Sequence, residues 1–151
     1  MKRIASFCVD HDKLLPGIYT SRIDGDITTY DIRMRKPNTP PYLDQAALHT
    51  IEHLFATFAR NSAVADQVIY FGPMGCRTGF YLLVRDLAPV DAIALIQSCF
   101  AQIANYQGEI PGASCSAECG NWREHDLAGA VAEAKAFLPV IAHWTPEQLA
   151  Y

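Results

Sequence analysis

The sequence predicts an α+β fold in a single domain, residues 1–151, with an antiparallel sheet packed against helices. Three observations predict it. Two β-rich runs between Ile18 and Met34 are joined by Asp24-Gly25, a dipeptide that tolerates the positive φ angles of a tight hairpin turn. Two more short runs, Gln67 to Phe71 and Phe80 to Val84, are rich in β-branched and aromatic residues and read as buried strands. Three longer stretches, opening near Ala46, Pro89 and Asp126, carry apolar residues at helical spacing.

Composition bounds what such a fold can do. At 151 residues, 50% of them hydrophobic, the chain can bury a core of its own, and one domain is the natural count. The net charge is −4 and basic residues are not clustered, so the electrostatic footprint that nucleic acid or an anionic membrane requires is missing. Met1-Lys2-Arg3-Ile4 soon meets Asp10, His11 and Asp12, so no apolar signal region or membrane span develops, and the expected location is the cytoplasm. Five cysteines without a secretory signal point to free thiols, metal ligation or catalysis rather than to a disulfide framework.

Taken in order, Ser6-Phe7-Cys8-Val9-Asp10-His11 forms a short lead that ends before the turn signal Pro16-Gly17. In the second β-run, Tyr30, Ile32 and Met34 share one face, and Thr29, Asp31 and Arg33 share the other. By itself Arg33 reads as an ordinary solvated strand charge. Pro37, Pro40 and Pro41 then break regular structure, and Asp44 is placed to cap the first helix or to sit in its first turn, with the helix ending near Asn61-Ser62. Between the later strands, Gly72-Pro73-Met74-Gly75-Cys76-Arg77-Thr78-Gly79 specifies a particular backbone path that presents Cys76, with Arg77 beside it to favour a thiolate. In the second helix Ile93, Ile96, Phe100 and Ile103 form one buried stripe, with Cys99 beside it in the core. A Gly, Pro and Ser-rich loop from Gly108 to Ser116 leads to Cys119-Gly120, and the third helix follows from Asp126 to Leu138. Thr145-Pro146-Glu147 opens a final short turn. His125 and His143 read as structural histidines.

The chemistry centres on His49-Thr50-Ile51-Glu52-His53 in the first helix. Positions four apart lie one turn above each other, roughly 5 to 6 Å between Cβ atoms, so both imidazoles can close on one divalent metal. Glu52 falls at the edge of that face, where a carboxyl group can move protons without ligating. Leu48, Ile51, Leu54, Phe55 and Phe58 form the opposite face and anchor the helix in the core. A catalytic metal keeps one position open and takes three protein ligands, so a third is needed. On the residues alone the candidates are Cys119, Cys115, Cys76 and Cys8.

Five blocks then carry a resemblance. Ser6-Phe7 with Asp10-His11, Tyr30-Asp31-Ile32-Arg33 with Pro37-Asn38, HTIEHLFA at His49 to Ala56, PMGCRTGFY at Pro73 to Tyr81, and Glu118-Cys119-Gly120 followed by Glu124-His125-Asp126-Leu127 extend over most of the chain. With them the sequence resembles the S-ribosylhomocysteine lyases, the LuxS family of autoinducer-2 synthesis. The resemblance implies that His49, His53 and Cys119 bind one divalent metal per subunit, ferrous iron natively and zinc or cobalt as alternatives. It implies Glu52 and Cys76 as the general acid and base, and Ser6, His11 and Arg33 as substrate-binding residues. It also implies a homodimer with active sites at the subunit interface. The products would be L-homocysteine and 4,5-dihydroxypentane-2,3-dione. Where the family commonly carries an acidic residue and a serine just ahead of PMGC, this chain has Tyr70-Phe71-Gly72, and Cys115 is an addition. The competing expectations are a divergent homologue acting on a related thioether sugar, a small metallopeptidase built on H-x-x-E-H, and a closed metal site that only holds the fold.

Overall fold

The computed structural model describes Ile4 and residues 7–151. Gly17–Asp24 (β1) and Ile27–Arg33 (β2) form the first hairpin, paired antiparallel from Gly17 opposite Arg33 to Asp24 opposite Ile27. The two-residue turn this leaves has Gly25 at its first central position with φ +62°, a conformation that costs a side-chain-bearing residue and not glycine. Gln45–Arg60 (α1) follows, then Val68–Pro73 (β3), Gly79–Arg85 (β4), Pro89–Ala104 (α2) and Leu127–Ile141 (α3). The strands make one antiparallel sheet in the order β1-β2-β4-β3. The α+β expectation is met.

Local chemistry sets the helix boundaries. The Asp44 carboxylate accepts from the backbone of Ala46 and Ala47 and caps α1, which ends at Asn61. Pro89 opens α2 where its missing N–H costs nothing. The Asp126 side chain accepts from Gly129 N–H and caps α3. That helix runs past Leu138 and through Pro139 to Ile141, because Ile141 is fully buried and packing holds the last turn. At the C-terminal end Thr145 and Gln148 form a reciprocal capping box around a short 3-10 turn.

The helices pack together over one face of the sheet, α1 against β3 and against both α2 and α3. Leu48, Ile51, Leu54 and Phe55 point into this layer, where Phe55 stacks on Phe71 at 3.8 Å and meets Phe100 edge-on at 5.5 Å. Burying such side chains contributes roughly 1.5 to 3 kcal/mol each, so α1 is firmly held. Its opposite face carries His49, Glu52 and His53. No helix among the described residues is long and apolar enough to cross a membrane.

Candidate metal centre and active site

The α1 spacing does what helix geometry requires: the His49 and His53 rings lie 4.7 Å apart, nearly perpendicular at 84°. Cys119 comes to them from the loop before α3, its Sγ 3.4 Å from His49 Nε2. Asn121 N–H donates to that sulfur at 3.4 Å and orients it. Of the four cysteines open at the sequence level, this one joins the histidines, and Cys115 does not.

A fourth residue joins them. One ligand atom each from His49, His53, Cys119 and His125 all lie within 4.8 Å of one another. Sequence reasoning took His125 for a structural histidine, and only its position six residues past Cys119 hinted otherwise. Tertiary contacts bring it in. Glu124, His125 and Asp126 lie along α1: His49 Nδ1–H donates to Glu124 O at 2.9 Å, His125 Nδ1 meets Thr50 Oγ1 at 3.1 Å, and Asp126 N–H donates to Thr50 Oγ1 at 2.9 Å. Burial, then the neighbouring His49 and His53, push the His125 imidazole down to about 4, so it is neutral near pH 7.

The donor set fits a divalent metal. His53 Nδ1–H donates to Pro111 O at 2.7 Å, just as His49 Nδ1–H does to Glu124 O, so both rings leave Nε2 bare for an ion. Gly112, at φ +69°, passes close to the His53 ring, where an added Cβ would sit 3.4 Å from Nδ1. Among the described residues His125 Nε2 is buried without a hydrogen-bond partner. Imidazole and thiolate together suit zinc, iron or cobalt. Glu52 stands half-buried on the turn between the two histidines and makes no side-chain hydrogen bond or ion pair among the described residues.

Cys76 occupies a different place. The turn between β3 and β4 presents it at a cleft of about 700 Å³ lined by Phe7, His11, Arg33, Tyr42, Thr78 and Tyr81 among others. A second cation, Arg33, lies beside it: the Arg33 guanidinium reaches within 4.0 Å of Sγ, and Thr78 Oγ1 lies 3.0 Å from it. Arg77 turns through φ +56° and offers its carbonyl to Leu43 N–H, which ties this turn to the start of α1. Arg33 is also no solvated strand charge. It is 2% exposed and paired with Asp31, which is 1% exposed. Burial alone would loosen its proton, but the hydrogen bond and charge of Asp31 outweigh that and the net shift is upward. His11 lines the same cleft, and its Nδ1 meets Val9 O at 2.9 Å. Ser6 lies outside the described residues. Among the described residues, none that lines this cleft belongs to the His/Cys cluster.

Comparison with known proteins places the chain in a family. The family model for S-ribosylhomocysteinase (LuxS) matches residues 4–148. The chain belongs to that family. LuxS-family relatives include the S-ribosylhomocysteine lyase of Phocaeicola vulgatus, 49% identical over 100% of this chain and 98% of that protein. The S-ribosylhomocysteine lyase of Desulfotalea psychrophila is likewise 49% identical, over 100% and 99%. That of Borreliella burgdorferi strain ZS7 is 46% identical over the same shares. Within Tyr70-Phe71-Gly72, the tyrosine folds back over the glycine. A Cβ at Gly72 would fall 2.1 Å from the Tyr70 hydroxyl, so the tyrosine occupies the room a side chain at 72 would need.

Proposed function

We propose that the chain is a metal-dependent lyase that cleaves S-ribosylhomocysteine to L-homocysteine and 4,5-dihydroxypentane-2,3-dione. The observation that carries this reading is the placing of Cys119 Sγ 3.4 Å from His49 Nε2, on a helix that also bears His53 and Glu52, in a chain matched by the LuxS model over residues 4–148. His49, His53 and Cys119 hold the ion, with Fe(II) as the native metal and Zn(II) or Co(II) as substitutes. When bound, the ion supplies a Lewis acid that polarises a sugar carbonyl without changing its own oxidation state.

The chain's own residues then move protons. Each of two carbonyl shifts needs a base to take a proton from the carbon beside the carbonyl and an acid to return one to the former carbonyl carbon. Glu52 and Cys76 fill these roles. With the ketone at the third carbon, removal of the proton from the fourth expels the homocysteine sulfur from the fifth, and that sulfur takes up a proton. Atoms and electrons balance without a redox cofactor. Ser6, His11 and Arg33 bind the substrate, and Arg33 also holds Cys76 in place.

The working unit is a homodimer in which each site draws on both subunits, a reading supported by the absence of any cluster residue from the described lining of the Cys76 cleft. The open cleft and Phe7, 62% exposed at its edge, support this. One lyase-like domain over residues 1–151, acting in the cytoplasm, completes the reading. The metallopeptidase alternative is not favoured, since the cluster contains a thiol where that chemistry would place a carboxylate. The test is an anaerobic assay of thiol release from S-ribosylhomocysteine, with elemental analysis of the same sample. Metal-loaded protein that releases no homocysteine would overturn the proposal.

A further inference from the structure

A chain of hydrogen bonds ends on Cys76 and begins far from it in sequence. The Arg33 guanidinium grips the Asp31 carboxylate through Nε and Nη2, which leaves Nη1 facing the other way. Nη1 donates to Thr78 Oγ1 at 2.6 Å and stands 4.0 Å from Cys76 Sγ. That hydroxyl oxygen already accepts from Arg33, so its own hydrogen is free to turn to the sulfur 3.0 Å away. Two donors thus meet at Cys76, and where they point depends on the plane of the guanidinium.

That plane does not hold itself. In a forked pair the guanidinium follows its carboxylate, and the terminal torsion of an aspartate is soft, with a broad well in place of three sharp ones. A contact outside the fork is needed to fix the tilt. Tyr151 supplies one: its hydroxyl donates to Asp31 Oδ2 at 2.8 Å, the same oxygen that Nη2 uses. The phenol is in turn held by β1, the strand at one edge of the sheet. Its ring stacks on Tyr19 at 5.2 Å and 15°. Two residues earlier, Leu149 O accepts from Thr20 N–H at 2.7 Å, and Trp144 Nε1–H donates to Ile18 O at 2.8 Å. The stretch from Trp144 to Tyr151 therefore grips three successive residues of β1, and Tyr151 reaches Asp31 from a fixed base.

We propose that Tyr151 is a positioning residue for Cys76: its hydroxyl fixes the tilt of the Asp31–Arg33 pair and so aims Arg33 Nη1 and the Thr78 hydroxyl at the sulfur. Tyr151 touches neither the sulfur nor the substrate and acts only through Asp31, Arg33 and Thr78. The proposal rests on the lyase reading for what Cys76 does in turnover, and on the hydrogen-bond chain for everything else. It gives the stretch after α3 a role in the reaction as well as in closing the edge of the sheet.

Tyr151→Phe tests this, because it keeps the ring and its stacking on Tyr19 and removes only the hydroxyl. Alkylation of metal-loaded protein by iodoacetamide, read residue by residue by peptide mapping, is the measurement. Cys76 should react about fivefold or more slowly than in wild type, while the exposed Cys8 and Cys115 stay within about twofold and the buried Cys99 remains unmodified. kcat for homocysteine release should fall by a similar factor with a full equivalent of metal retained. An unchanged Cys76 rate would overturn the proposal. So would faster labelling of every thiol, Cys99 included, since that reports loosened packing and not aim. A second arm repeats the substitution in a Thr78→Val background, which breaks the chain just before the sulfur. There the Tyr151→Phe effect should shrink below about twofold, and an undiminished effect would mean another route and overturn the proposal. Failure of the wild type to release homocysteine would remove the lyase reading, whereas the alkylation contrast decides the positioning of Cys76 without any turnover.

Discussion

Asp31 and Arg33, two residues apart on β2, form a buried ion pair, with guanidinium nitrogens 3.1 Å from Asp31 Oδ1 and 2.5 Å from Oδ2. Tyr151 donates its phenolic hydrogen to the same carboxylate at 2.8 Å, and Arg33 donates onward to Thr78 Oγ1 at 2.6 Å. Burial, then the Asp31 charge, raises the Tyr151 phenol above its ordinary range, which keeps it a donor. Tyr151 is thus linked through two side chains, Asp31 and Arg33, to the Thr78 hydroxyl that contacts Cys76.

Removing the carboxylate strands a buried cation. Asp31→Ala should destabilise the protein by about 3 to 5 kcal/mol, because Arg33 loses its partner without regaining water. Urea unfolding measures this. A loss under about 1 kcal/mol would mean that Arg33 swings to solvent instead, out of reach of Cys76.

Metal binding and turnover should separate cleanly. Cys119→Ala is expected to lose the ion, while Cys76→Ala and Glu52→Gln keep a full equivalent of metal and lose homocysteine release by at least about 100-fold. Elemental analysis beside the thiol assay reads both. Full activity in Cys76→Ala would leave the reaction without a proton carrier in the cleft.

Two glycines in the Cys76 turn should behave oppositely. A Cβ at Gly79 would fall 2.1 Å from the Ile32 carbonyl oxygen, a backbone atom of the paired strand that cannot turn aside. Gly79→Ala should therefore cost about 2 to 3 kcal/mol by forcing β2 and β4 apart. At Gly75 nothing lies within 4 Å, and Gly75→Ala should stay within about 0.5 kcal/mol of wild type. Thermal unfolding of the pair checks the contrast.

The thiols should label in an order set by burial and metal. Burial pushes the Cys99 thiol up to about 12, so at pH 8 only about one molecule in ten thousand carries the reactive thiolate. Cys8, Cys76 and Cys115 are exposed. In metal-loaded protein, alkylation followed by peptide mapping should find these three modified and Cys99 untouched. Cys119 should become reactive only after chelation, and all five cysteines should label in denaturant.

What the chain determined unaided was whatever depends on repeat distance along one element. The four-residue step from His49 to His53, the Asp44 cap, the Pro89 start and the apolar stripe of α2 are set by helix geometry, so they could be read directly. The hairpin could be read too, and its glycine at positive φ, although the two turn residues are Gly25-Asp26, one position beyond the Asp24-Gly25 pair, because Asp24 still pairs with Ile27 in the sheet. Strand alternation also put Arg33 and Asp31 on one face. It could not tell that the face is covered, because the cover includes Tyr151, 120 positions beyond Asp31. His125 is a second such case: its place beside His49 depends on how the segment before α3 lies along α1. The Pro111 carbonyl behind His53 arises in the same way. Spacing within a helix or strand follows from bonds and dihedrals close at hand, whereas meetings between elements follow from how the whole core closes, and that information is spread over the entire chain.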